Sequence, residues 1–228
     1  MIAPAQIRRA VVLALLLAGL AASSPSRPGI AGGATPIRIV AFGDSLVAGY
    51  GLRQQDAFPE QLQAALGKRT PGIEIINAGV SGDTSAAALA RLDWAIPENV
   101  DGAIVLLGGN DFLRGLSPKK MQKNLDEILA KLRKRNLKIL LLGMKAPRNA
   151  GKAYYTAFDR VFPTLAEKHG ALLDPFFLEG VAQNLELNQI DGLHPNAKGV
   201  ARIVTRLLPK AEALIERIRT QREVNGKS

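Results

Sequence analysis

Short apolar runs alternate with stretches of helical period along most of the chain. Continuous apolar runs, as at 37–42 and 103–107, predict buried strands. Stretches with apolar residues every three or four positions predict amphipathic helices. The predicted strands are 37–42, 73–77, 103–107, 137–144 and 171–174, and the predicted helices are 58–66, 85–94, a long helix from 117, 154–168 and a last helix from 196. Strands separated by helices predict an α/β fold, a parallel sheet with helices on both faces.

The first predicted strand runs directly into a glycine turn. Residues 43–46 are Gly-Asp-Ser-Leu. Glycine allows a tight turn that other residues resist, and the turn places Ser45 at the carboxyl end of a strand, where open α/β sheets bind ligands. A serine hydroxyl is a poor nucleophile until a base takes its proton. The chain therefore needs a base near Ser45.

The chain has two histidines, His169 and His194. His169 precedes Gly170 at the end of a predicted helix, where the helix dipole favours a cation, so a structural role is favoured. His194 follows Asp191 by three residues in a turn-forming segment. Asp191 could hold one ring nitrogen while the other faces the serine. The alternative is a loop histidine beside a surface aspartate.

Four blocks together resemble the SGNH, or GDSL, hydrolase family. They are residues 43–46, 77–84, 108–111 and 191–195, in the family's order. Within the family, the chain is most similar to the bacterial thioesterase I, arylesterase and lysophospholipase group. The resemblance implies a three-layer αβα sandwich with a flavodoxin-like, mostly parallel central sheet.

The resemblance also implies the roles of individual residues. Ser45, Asp191 and His194 would form the catalytic triad. The oxyanion donors would be the backbone N–H groups of Ser45 and Gly79 and the side-chain amide of Asn110. Ordinary alternatives exist for two of them, since Gly79 could be a turn glycine and Asn110 a turn or helix cap.

Candidate substrate-binding residues lie close to these blocks. Asp44 stands beside the serine and is also expected to accept local backbone hydrogen bonds. Phe112 and Leu113 could floor an apolar pocket, and ordinary core packing is the equal alternative. Pro147 and Asn149 lie in a loop that resembles the acyl-pocket loop of the thioesterase group.

The resemblance, together with the N-terminal pattern described below, implies an exported serine hydrolase that cleaves small carboxylic esters or thioesters through an acyl-enzyme on Ser45. A carbohydrate O-acetyl esterase of the same family is an alternative. A non-catalytic flavodoxin-like binding domain is an alternative of another class, although no Gly-x-Gly-x-x-Gly fingerprint follows the first strand. The sequence shows no clustered histidines and carboxylates, so we expect neither a metal nor another cofactor.

The N-terminus has the order of a secretory signal peptide. Residues 1–24 carry two arginines, then an apolar run, then small residues, which predicts export to the periplasm or secretion. Cleavage could lie as late as about residue 34. Residues 25–36 are expected to form a flexible lead-in, 37–219 the hydrolase domain and 220–228 a basic tail. The chain has no cysteine, which excludes disulfides and thiolate metal sites.

The chain is basic, with a formal net charge of +10. Much of the excess lies in two helical stretches, 119–135 and 217–227. A solvated helix face is the favoured interpretation, and weak contact with anionic lipid is the alternative. We expect no nucleic-acid partner, because no RNA-binding aromatic motif or zinc-finger spacing is present.

Overall fold

A computed structural model describes residues 35–226 of the chain. The predicted signal peptide and nearly all of the lead-in lie outside these residues. The strands are β1 (Ile37–Gly43), β2 (Ile73–Gly79), β3 (Gly102–Leu106), β4 (Lys138–Leu142) and β5 (Leu172–Asp174). The α-helices are α1 (Ser45–Ala48), α2 (Phe58–Gly67), α3 (Ser85–Ala95), α4 (Gly109–Leu113), α5 (Pro118–Lys134), α6 (Lys152–His169) and α7 (Ala197–Gly226).

The five strands form one parallel sheet in the order β2-β1-β3-β4-β5. The last residue of β1, Gly43, pairs with Gly79 on one side and with Leu106 on the other. This order reverses direction between β1 and β3, and ligands of open α/β sheets bind at such a reversal, beyond the carboxyl ends of the strands. The predicted α/β class with a flavodoxin-like sheet is confirmed.

The sheet is covered on both faces, because alternate strand residues point to opposite sides. Ile39 and Ile104 belong to a core that includes apolar residues of α2 and α7. Val40 and Val105 belong to a second core, built with residues of α3, α5 and α6. Two cores separated by one sheet give the three αβα layers that were predicted.

Strand β2 is two residues longer than its apolar pattern predicts. The prediction ended the strand at Asn77, where the apolar run stops. In the structure Asn77 and Ala78 pair in register with Ala41 and Phe42, and the ladder ends at Gly79. Gly79 is therefore a strand residue, and the loop beyond it begins at Val80.

The last helix begins with the predicted cap. The side-chain oxygen of Asn196 accepts the backbone N–H groups of Lys198 and Gly199, at 3.0 and 3.1 Å. The helix then continues to Gly226, so most of the segment that was expected to form a basic tail is helical. In that segment Arg222 makes an ion pair with Asp101 at 2.8 Å.

His169 has a structural setting, as the helix-end position indicated. It is the last residue of α6, and Gly170 follows in the left-handed conformation that ends helices. Its Nε2 lies 2.6 Å from a carboxylate oxygen of Asp126, and the residue is buried. Within residues 35–226, no helix has the length and apolar character needed to cross a membrane.

Candidate active site

Ser45, His194 and Asp191 meet beyond the carboxyl end of β1. Ser45 Oγ lies 2.9 Å from His194 Nε2, although the two residues are 149 positions apart. His194 Nδ1 lies 2.6 Å from Asp191 Oδ2. When Nδ1 carries the proton and donates a hydrogen bond to the carboxylate, Nε2 is left as an acceptor that faces the hydroxyl. The arrangement is therefore that of a nucleophile, a base and an orienting acid.

Asp191 is held as a carboxylate by its own loop. Its Oδ1 accepts the backbone N–H groups of His194 and Leu193, at 3.0 and 2.9 Å. The backbone amide of His194 is the largest of the causes that lower the pKa of Asp191 to about 2. A negative charge therefore remains beside the imidazole at any pH where the domain works, and it stabilises the ring once the ring takes a proton.

The aromatic ring of Tyr50 covers one side of the imidazole. The two ring centroids are 4.9 Å apart and the rings are tilted by 41°. Tyr50 follows α1, so the same short segment that presents Ser45 also presents this ring. The phenol is 55% exposed, which leaves it at the rim of the site and not in the core.

Asp44, a candidate for substrate binding, directs its carboxylate to neighbouring residues of the site. It is only 2% exposed. One carboxylate oxygen accepts the backbone N–H of Leu46 and caps α1, and the other accepts the side-chain amide of Asn110 at 3.4 Å. Burial raises the pKa of Asp44 to about 6. The bond from Leu46 is the local backbone hydrogen bond that was expected for Asp44.

Asn110 lies at the beginning of α4, immediately beyond β3. The amide nitrogen of its side chain carries two N–H groups, and Asp44 accepts from this nitrogen. One N–H is therefore left for another acceptor. Because β3 is the neighbour of β1 in the sheet, Asn110 and Ser45 lie at the same edge.

Gly79, to which the resemblance assigned an oxyanion role, is the last residue of β2. Its N–H already donates to the side-chain oxygen of Asn77, at 3.0 Å. The residue also packs tightly, since a Cβ atom there would lie 2.2 Å from the backbone nitrogen of Ala48. The apolar pattern ended β2 at Asn77 and so placed Gly79 in the following loop, whereas the structure places it at the end of the strand.

Gly82 is the glycine in the loop after β2. It has a φ of +86°, which favours glycine, and a Cβ there would meet only Arg114. Its carbonyl accepts a hydrogen bond from Arg114 at 2.8 Å, whereas its N–H has no acceptor among residues 35–226. The backbone N–H of Ser45 has none within that range either. The Ser81-Gly82-Asp83 turn signal could have identified Gly82 from the sequence.

Arg91 is a buried cation under the site that sequence reasoning missed. Its guanidinium donates to Asp83 at 2.6 Å and to the carbonyls of Gly43 and Ala78, at 3.0 Å each. It also lies over the ring of Phe42, 4.3 Å from the centroid. Arg91 thus joins the ends of β1 and β2 to the loop that carries Gly82. On sequence alone it is one cation of a helix, without a signal of burial.

The remaining candidates for substrate binding divide between core and surface. Phe112 is half-buried, and its ring lies 6.1 Å from that of Tyr154 within a row of aromatic side chains. Leu113 is 57% exposed. Pro147 and Asn149 are exposed, in and beside a 3₁₀ turn. Ordinary core packing therefore explains the buried part of the Phe112 side chain, whereas the other three residues face solvent.

Large exposed apolar side chains accompany every polar block of the site. Tyr50 follows the serine block, Val80 precedes Gly82, Leu113 follows Asn110 and Leu193 precedes the histidine. Each is more than two-fifths exposed. Exposed apolar groups gathered at a polar centre are typical of a site for a partly apolar ligand. Within the described residues no group of three or more His, Asp or Glu side chains is placed to hold a metal ion.

A parallel sheet with a serine, a histidine and an aspartate in contact at its carboxyl edge defines the class of serine-dependent α/β hydrolases. Comparison with known proteins identifies the family within this class. The model of the GDSL-like lipase/acylhydrolase family matches residues 41–202. The chain belongs to this family and is an enzyme, which sets aside the non-catalytic binding domain.

Three relatives illustrate the similarity. Esterase TesA of Pseudomonas aeruginosa is 38% identical over 178 residues, which cover 78% of this chain and 89% of the relative. Thioesterase 1/protease 1/lysophospholipase L1 of Escherichia coli K12 is 37% identical over 159 residues, covering 69% of this chain and 75% of the relative. The solved structure of AlinE4, an SGNH-hydrolase family esterase, is 48% identical with a TM-score of 0.66 and covers 78% of this chain and 96% of its own.

Proposed function

We propose that the protein hydrolyses carboxylic esters or thioesters through an acyl-enzyme on Ser45. The observation that carries the proposal is the 2.9 Å contact between Ser45 Oγ and His194 Nε2. At that distance the ring can take the hydroxyl proton as the oxygen attacks a carbonyl carbon. Asp191 fixes the ring and balances its charge.

The reaction proceeds in two half-reactions. Ser45 Oγ bonds to the carbonyl carbon while its proton passes to His194 Nε2, and the carbonyl oxygen becomes an oxyanion. The intermediate expels the alcohol or thiol, which leaves with the proton from His194. Water then attacks the acyl-enzyme, His194 takes a proton from the water, and the carboxylic acid is released as Ser45 recovers its proton.

We propose Gly82, in place of Gly79, as the glycine donor to the oxyanion. The support is that the N–H of Gly82 has no acceptor among residues 35–226, whereas that of Gly79 is bonded to Asn77. The N–H of Ser45 and the second amide hydrogen of Asn110 complete the set of donors. Donors that are already oriented before charge develops stabilise the transition state without reorganisation.

The exposed apolar rim supports an ester with an apolar acyl or aryl group over an acetylated sugar. We propose that Tyr50 and Leu113 contact this group, since both are exposed and both follow a catalytic block closely. Pro147 and Asn149 would then bound the far end of the acyl chain. The names of the relatives, esterase and thioesterase 1/lysophospholipase L1, agree with this substrate class.

The test is a series of p-nitrophenyl esters of rising chain length, with parent, Ser45→Ala and His194→Ala proteins. We expect both variants to lose nearly all activity while keeping the parent's circular dichroism spectrum. Butyrate and longer esters should be cleaved faster than acetate. Full activity in Ser45→Ala would refute the mechanism, and activity confined to acetate would favour the carbohydrate O-acetyl esterase.

We further propose that the enzyme is exported by residues 1–24. The support is the order of charged, apolar and small residues in that segment. N-terminal sequencing of the protein from a periplasmic fraction should find a start between about residue 25 and about residue 35. Recovery of the intact N-terminus in the cytoplasm alone would contradict export.

A further inference from the structure

The side chain of Gln189 bridges two loops that carry the reacting groups. Its amide nitrogen donates to the carbonyl of Tyr50 at 2.8 Å and to the carbonyl of Pro195 at 3.0 Å. Its backbone N–H donates to the carbonyl of His194 at 2.7 Å. One residue therefore hydrogen-bonds both to the loop that carries His194 and to the segment that follows Ser45.

The Tyr50 end of this bridge leads back to the nucleophile. The backbone N–H groups of Gly49 and Tyr50 both donate to the carbonyl of Ser45, at 3.0 and 3.1 Å. A continuous set of hydrogen bonds thus runs from Ser45 through Tyr50 and Gln189 to His194. This set of bonds is a second connection between the two residues. It joins their backbones, in addition to the direct contact between Ser45 Oγ and His194 Nε2.

The chain leaves space for this side chain at Gly51. Gly51 has a φ of +72°, and a Cβ there would lie 2.1 Å from the side-chain oxygen of Gln189. Any other residue at that position would displace the amide. The glutamine is half-buried, and both hydrogens of its amide nitrogen have acceptors.

We propose that Gln189 is a positioning residue that sets the distance between Ser45 and His194. Asp191 and His194 share one loop, so their contact is local and does not need the glutamine. The serine, in contrast, belongs to a different part of the chain. Its alignment with the ring depends on how the two loops are joined, and a displacement of about 1 Å can cost about 100-fold in rate. This role rests on the proposed function.

The test replaces the amide without changing its length. Gln189→Glu puts a carboxylate oxygen against two carbonyls, and Gln189→Met removes the hydrogen bonds but keeps the shape. We expect kcat on a p-nitrophenyl ester to fall about 10- to 100-fold in both, with KM within about twofold of the parent. The rate at which a phosphonate labels Ser45 should fall by the same factor.

Gln63 supplies a matched control. It is also half-buried, and its side chain also makes two backbone hydrogen bonds, to Ile73 and Ile75, but these lie at the opposite end of β2. Gln63→Met should lower the melting temperature and leave kcat within about twofold of the parent, since it moves no reacting group.

A second readout separates alignment from loop unfolding. The downfield proton resonance of the His194–Asp191 hydrogen bond should persist in Gln189→Met, because both residues lie in the same loop. Loss of that resonance would mean that the loop has come apart, and would overturn the positioning role. So would a kcat within threefold of an active parent. A parent that neither cleaves esters nor reacts with the phosphonate would instead overturn the proposed function and leave Gln189 nothing to position.

Discussion

Asp111 and Ser85 are joined by two short hydrogen bonds in the interior. The backbone N–H of Ser85 donates to one carboxylate oxygen at 2.7 Å, and its hydroxyl donates to the other at 2.6 Å. Asp111 is the neighbour of Asn110, and Ser85 opens the helix just after the Gly82 loop. The pair therefore fixes two loops that we propose supply oxyanion donors, one from each side of β1.

Removing the carboxylate of Asp111 should loosen both loops. In Asp111→Ala two buried donors of Ser85 lose their acceptor, and each costs about 1–3 kcal/mol of stability. Ser85→Ala keeps the backbone bond and removes the hydroxyl, which donates to Asp111 and accepts from the side-chain amide of Asn124 at 3.0 Å. It should cost less, about 1–2 kcal/mol. Urea unfolding measures both. Equal losses in the two variants would show that the backbone bond contributes nothing.

Asn110→Ala should lower kcat by about 100- to 1000-fold, the usual loss for one oxyanion donor. KM should change little, because the interaction forms mainly in the transition state. Asn99→Ala, at an exposed asparagine before β3, is the control and should retain the activity of the parent. Turnover within a few-fold of the parent in Asn110→Ala would remove Asn110 from the oxyanion site.

The choice between Gly82 and Gly79 can be tested at the level of a single atom. Replacing the amide of residue 82 by an ester, through incorporation of an α-hydroxy acid, deletes the N–H and keeps the backbone shape. We expect turnover to fall about 100-fold or more. The same replacement at residue 79 removes a bond to Asn77 and should leave turnover within a few-fold. The reverse pattern would restore Gly79 to the role.

Asp44 should make stability depend on pH in an unusual direction. Because its pKa is raised from 3.8 to about 6, the folded protein holds a proton between these values that the unfolded chain releases. Stability from this group is therefore present below pH 3.8 and is lost as the pH rises to about 6. About two pKa units correspond to about 3 kcal/mol.

Unfolding by urea at several pH values from about 3 to about 8 measures this contribution. The free energy of unfolding of the parent, relative to Asp44→Asn, should fall by about 3 kcal/mol as the pH rises. Asn99→Ala, at an exposed neutral residue, is the control and should show the slope of the parent. A parent and an Asp44→Asn variant with parallel pH profiles would show that burial does not raise the pKa of Asp44.

Much of the fold could be predicted because the signals are local. Continuous apolar runs predict buried strands, helical periods predict the covering helices, and their alternation predicts a parallel sheet. The Ser45, Asn110 and His194 blocks each follow or precede such elements, so their gathering at one edge followed from topology. The end of β2 was missed because the pairing of Ala78 and Gly79 with β1 comes from the sheet and not from their own hydrophobicity.

The sequence by itself determined the layered architecture, the parallel sheet and the types of residue that carry out the reaction. These follow from composition and hydrophobic periodicity, which act over a few neighbouring positions. Only the tertiary structure decided which glycine has a vacant N–H, that Asp44 is buried and that Arg91 and Gln189 join distant loops. These facts depend on which backbone groups already have partners, and a partner many positions away leaves no trace in local pattern.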